Sequence, residues 1–156
     1  MNTYLILKTI HIASSVFLVG TGFGTAFYLF FANRSDSVES IAVVSRLVVR
    51  ADWWFTTPAV ILQPITGLLL MKLGGWPLTA PWLLASFALF AFAGICWLPV
   101  VWLQLRMARI AATANAAGSA LPESYWSDAR LWERLGYPAF SAMAVVYFLM
   151  VVKPGF

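Results

Sequence analysis

Four long apolar segments constrain this chain more than any other feature. They run from about residue 3 to 32, 53 to 73, 81 to 105 and 136 to 152. Each comes near or exceeds the roughly 20 apolar residues that a helix needs to cross the hydrocarbon of a bilayer. The strands of a β-barrel would be about half as long and would alternate in polarity; these segments do not. The expected fold is therefore all-α, a polytopic membrane four-helix bundle forming one domain over residues 1–156. Its helices are expected at about residues 3–32, 37–73, 81–110 and 128–153.

Composition agrees. Hydrophobic residues make up 62% of the chain and charged residues 10%, where a soluble domain carries about 25% charged. Mean hydropathy is +0.83. Too few charges remain for a water-facing surface, which excludes a soluble nucleotide enzyme. The net charge of +4 does not argue for nucleic acid, because basic residues flank membrane spans for orientation alone. Cys96 is the single cysteine, which excludes an intrachain disulfide and a cysteine-rich metal site. The first basic residue is Lys8, and the apolar run after it is too long for a signal-peptide core, so the first segment is expected to remain as a span.

The connections differ in character. Residues 33–52 carry Arg34, Asp36, Glu39, Arg46, Arg50 and Asp52, and Val38, Ile41, Ala42, Ser45, Leu47, Val48 and Val49 are broadly amphipathic. The second helix therefore starts early, near Ser37. Ser37 with Ser40 is a weak cap signal; Asp36 with Glu39 three residues on is the better one. The loop at 74–81 is short and holds Gly74-Gly75. Residues 111–135, rich in Ala, Ser and Gly, read as a linker.

Seven of the ten basic residues fall in the first-to-second and third-to-fourth connections. That side should be cytoplasmic, with both termini on the outer side, in a bacterial inner membrane. Tyr4, Trp76 and Trp82 would then form an outer aromatic belt.

His11 is the only histidine, and it lies inside the first span, about 12 Å below its outer end. An ionisable group in a membrane helix costs a few kcal/mol and marks a candidate site. A neutral imidazole can ligate haem iron or carry a proton; it can also simply hydrogen-bond to a neighbouring helix. Lys8, one turn above, can snorkel outward. Gly20 and Gly24 form a GxxxG pair that would let another helix, or a flat cofactor, approach closely. The second helix carries Thr56, Thr57, Pro58, Gln63, Pro64, Thr66 and Gly67. Its hydroxyls and amide need partners in lipid, and its prolines free carbonyls and bend it. Such a helix suits a cavity wall. Arg50 and Asp52 stand before it, and an arginine there could hold an anionic substrate bidentately. Arg50, Asp52 and Gln63 are the candidate catalytic residues.

Beyond these readings, the runs Lys8-Thr9-Ile10-His11-Ile12, Tyr28-Leu29-Phe30-Phe31, Trp54-Phe55-Thr56-Thr57-Pro58, Thr66-Gly67-Leu68 and Trp97-Leu98-Pro99 resemble the DUF2269 family of bacterial integral membrane proteins over nearly the whole chain. More distantly, the skeleton is similar to the HemJ-type protoporphyrinogen oxidases. These also place a Lys-x-x-His in the first helix and a Thr-Thr-Pro at the start of the second. That resemblance implies haem b, oxidation of protoporphyrinogen IX or a related tetrapyrrole, and electrons passed to quinone. It makes His11 the metal ligand and Gly20, Gly24, Thr57, Thr66 and Gly67 candidate cofactor contacts. The third helix of that family opens with a histidine and a lysine, a second axial ligand; here the stretch is Trp82-Leu83-Leu84-Ala85-Ser86-Phe87 and both are missing. Met71 or Lys72 would replace the lysine, or the haem would be five-coordinate. The alternative is a non-enzymatic small membrane subunit or binding protein, assembling, as a homo-oligomer or with a partner, through its Gly-rich first-helix face.

Overall fold

A computed structural model describes residues 2–154. It is helical, with no strand among the described residues. The order is α1 (Thr3–Ala32), α2 (Val38–Ala51), a π-turn (Asp52–Thr56), α3 (Thr57–Leu73), α4 (Pro81–Ala116) and α5 (Glu123–Val152). The α2–α3 stretch is continuous, which leaves four membrane-length helices of 30, 36, 36 and 30 residues. At about 1.5 Å per residue they are roughly 45–54 Å long, well beyond the roughly 30 Å of hydrocarbon.

Local chemistry fixes the ends. The Asn2 side chain caps α1 by accepting from Tyr4 N–H at 3.0 Å. Ser37 caps α2 by accepting from Ser40 N–H at 3.1 Å. The Asp36–Glu39 cap is thus not the one used: Asp36 takes a left-handed φ of 54° in the turn before it. Residues 111–116 belong to α4 rather than to a linker. Alanine is the best helix former, and the run stops only at Gly118, whose φ is 60°. Gly118 N–H reaches Asn115 O and Ser119 N–H reaches Ala114 O, the paired bonds of a glycine-terminated helix. The connection is then short, because α5 starts at Glu123, directly after Pro122 and five residues ahead of the expected position.

The π-turn has a local cause. Pro58 offers no N–H, and its ring crowds the carbonyl four residues back, at Trp54. The helix widens just before it: Thr57 N–H bonds Asp52 O, five residues away. Such bulges rotate side chains out of the regular helical register. Here Asp52 and Thr56 turn inward while Trp53, Trp54 and Phe55 between them stay exposed.

The helices pair unevenly. α3 packs on α1, α4 on α5, and α2 on both α4 and α1, whereas α1 and α5 meet only briefly. Two apolar cores join the pairs. The larger lies at the arginine-rich end, where Leu29, Ile41, Val48, Leu103, Met107, Tyr125 and Trp132 are buried together. Tyr125 O–H donates to Asn33 Oδ1 at 2.7 Å there. Arg34–Glu133 at 3.2 Å ties the first connection to α5, and Arg106–Asp128 at 3.0 Å ties α4 to α5. The smaller core, at the opposite end, packs Met71 on Trp82 and Leu83 with Met150 beside them. Lys153 Nζ stands 5.1 Å from the Trp76 ring and 5.6 Å from Trp82. Trp82 is therefore buried inside the bundle end and is not part of a lipid-facing belt. The start of α1 and the end of α5 lie at this end, opposite the arginine-rich connections.

Met107 is fully buried at the centre of the larger core. Met107→Ala is expected to cost about 2–5 kcal/mol, read as a lowered unfolding midpoint in detergent.

Candidate functional site

Chemistry-bearing side chains gather in two places. The first is the α1–α3 seam. His11 Nδ1 lies 2.7 Å from Thr66 Oγ1. Thr66 has one hydroxyl proton, directed at Leu62 O at 2.6 Å. With that proton on Leu62 O, Thr66 Oγ1 accepts from His11 Nδ1–H. In the neutral ring Nε2 is then left with a bare lone pair, free to ligate or to take a proton. Gln63 Nε2 donates to His11 O at 2.8 Å and to Ser14 Oγ at 2.6 Å. A Cβ added at Gly67 would sit 3.4 Å from His11 Cε1; glycine is what lets the ring lie against α3.

The other candidate ligands are elsewhere. Met71 is committed to the small core with Trp82 and Leu83, and Lys72 is exposed. Neither shares a hydrogen bond with His11, and no three His, Cys, Asp or Glu side chains among the described residues converge as a metal site. Gly20 and Gly24 meet no neighbouring helix: a Cβ at either would find nothing within 4 Å. The close approach of α1 to α5 falls between them, at Gly22 against Phe140.

The second place is a cleft of about 450 Å³ between the α1/α3 and α4/α5 pairs. Its walls are apolar and rich in aromatic rings, among them Phe30, Phe90, Trp97 and Phe140. At one side stand Asp52, Thr56 and Gln104, all buried. Thr56 O–H donates to Asp52 Oδ1 at 2.9 Å. Asp52 Oδ2 and Gln104 Oε1 are buried without a hydrogen-bond partner.

The three expected catalytic residues are thus separated. Asp52 faces the cleft, Gln63 holds the α1–α3 seam, and Arg50 is exposed and forms no ion pair with Asp52. Helical spacing is the reason, since Asp52 continues the buried stripe Ile41, Ser45 and Val48, and Arg50, two residues before it, falls on the opposite face. Thr57 borders a small recess behind Asp52 and Gln104. The pairing of Gln104 with Asp52 has no local signal, because 52 residues separate them; only the excess of polar residues on one apolar helix hinted at it. The two places lie along one face of α1. His11, Ser14, Leu18, Gly22 and Thr25 recur at helical spacing, and Leu18, the first of them to line the cleft, is roughly 10 Å along the helix from His11.

A family model described as "Predicted integral membrane protein (DUF2269)" matches residues 5–154. No curated protein and no solved structure matches the chain.

Gln63→Leu removes both cross-helix donations and is expected to loosen the α1–α3 pair by about 1 kcal/mol, the usual scale of interhelical hydrogen bonds in lipid. Thermal unfolding in detergent against wild type measures it.

Proposed function

From the premise that this chain belongs to the DUF2269 family of integral membrane proteins, we propose that it is a haem b-binding membrane oxidoreductase with His11 as the axial ligand. The observation that carries this reading is the His11–Thr66 bond. It fixes the tautomer and ring orientation and leaves Nε2 bare, the arrangement in which histidines ligate metals. The residues present fit one axial position. Met71 is engaged in packing and Lys72 lies exposed, so His11 is the residue that would hold the haem iron.

Bound haem supplies one-electron chemistry. The chain's own residues do the rest. Thr66 orients the imidazole, Gly67 leaves room for it, and Gln63 with Ser14 locks the α1 backbone behind it. The resemblance to the HemJ-type enzymes points to protoporphyrinogen IX or a related tetrapyrrole as substrate and to quinone as electron acceptor. The arginine-rich connections support an orientation with both termini outside, in a bacterial inner membrane.

A specific observation favours a second reading. The open face at Gly20 and Gly24 is free for another helix, as expected of a small subunit that assembles with a partner or with its own copies. Crosslinking in native membranes separates the two: monomers alone count against assembly.

After expression with ample haem, the purified protein should show a Soret band that is absent in His11→Ala. Thr66→Val should keep the band but weaken haem affinity about tenfold to hundredfold. A band unchanged in His11→Ala overturns the reading. Wild type should also rescue a strain lacking its own protoporphyrinogen oxidase, and His11→Ala should not.

A further inference from the structure

We propose that the cleft between the two helix pairs is a binding site for a lipid-soluble molecule with a hydroxylated aromatic ring, a hydroquinone or long-chain phenol, seated with a ring hydroxyl on Asp52. The site contains none of the α1–α3 seam residues and stands independently of the haem reading.

Unpaired chemistry selects the head group. Asp52 Oδ2 and Gln104 Oε1 are both buried acceptors without a well-formed hydrogen bond, in residues only 5% and 6% exposed; apart from Thr56, the Gln104 amide is the side-chain donor beside the Asp52 carboxyl. The Thr56 hydroxyl proton is already given to Asp52 Oδ1. A buried acceptor left this way is costly, more so where lipid replaces water. A ligand must therefore bring an O–H, which a plain acyl chain cannot.

Charge narrows the class further. No lysine, arginine or histidine lines the cleft, whereas two carboxylates, Asp52 and Glu133, do. Glu133 is held by Arg34, so Asp52 is the one without a counter-ion. Fatty acids, phospholipid head groups and tetrapyrrole propionates would find no counter-charge there; a neutral hydroxyl needs none.

Shape completes the assignment. About 450 Å³ falls within the roughly 300–1,000 Å³ of small-molecule sites. Flat aromatic walls favour a flat ring over a sterol or a bare chain. The cleft is open along one side, and its rim residues Phe23, Phe31 and Tyr137 are more than half exposed. Phe23 lies well inside the membrane-length α1, so on that side a hydrophobic tail can trail into the bilayer.

The test uses the full chain in lipid nanodiscs under anaerobic, reducing conditions. Binding of decylhydroquinone is followed by fluorescence of the tryptophans, of which Trp97 and Trp132 line the cleft. Saturable binding is expected, with the dimethyl ether of the same probe at least about tenfold weaker, because it lacks the donors. Asp52→Asn should weaken the hydroquinone by a similar factor. Gly94→Leu should abolish binding by filling the cleft: Gly94 lines it, and a Cβ there meets nothing within 4 Å. His11→Ala should leave binding unchanged, which keeps this result separate from any loss of haem. Equal affinity for the ether, tighter binding of decylammonium or palmitate, or unsaturable partitioning untouched by Gly94→Leu would each overturn the proposal. The comparison of probes on wild type decides the matter even if Asp52→Asn fails to fold.

Discussion

Within lipid, a polar group finds its partner inside the protein or carries the full cost of having none. Several hydroxyls in the spans meet this rule in the simplest way, by donating to a carbonyl of their own helix. Thr9, Ser15, Thr25 and Ser86 all do so. Such bonds satisfy the group but join nothing. The α1–α3 seam is different, because an imidazole and an amide cannot reach their own backbone so easily. His11 and Gln63 must bond across the interface, and in doing so they fix the register of the two helices. The orientation of the imidazole, and hence its bare Nε2, follows from that register.

The same rule explains the shape of the bundle. Apolar side chains gain little by leaving lipid for one another, so the middle of the bundle has no strong reason to close. It is held at its two ends. At the arginine-rich end the helices extend beyond the hydrocarbon, and water there drives burial in the ordinary way. Tyr125, Met107 and Ile41 form a core like that of a soluble domain. At the other end Met71, Trp82 and Leu83 clamp the α3–α4 loop to the end of α5. Between the clamps α1/α3 and α4/α5 diverge, and the cleft is what remains. Asp52 enters it because it continues the buried stripe of α2, after Ile41, Ser45 and Val48, at helical spacing.

Much of this was legible from residue order. The four spans followed from length and hydropathy, and the early start of the second helix from its amphipathic residues. His11, Gln63, Thr66 and Gly67 stood out as polar or small positions on apolar helices, and all four meet at one seam. The helix ends at 110 and 128 were misplaced because alanine and serine were weighed as loop residues, while Gly118 was the actual stop. The GxxxG pair was read as a packing face, yet the contact falls on Gly22. Spacing alone gives a stripe on a helix, not the azimuth at which a neighbour crosses it.

By itself, the sequence determined that this chain spans a membrane, that its spans number four, and that one histidine and a proline-broken second helix carry its unusual chemistry. These are properties of single segments against a solvent, and hydropathy, proline geometry and capping settle them locally. Only the tertiary structure decided which polar groups pair and which stay empty. His11 found Thr66 across 55 residues, while Met71 and Lys72 were drawn away from it. Arg50 and Asp52, two residues apart, were sent to solvent and to the interior. Pairing of this kind depends on how helices cross, and the crossing is set by side chains distant in the chain.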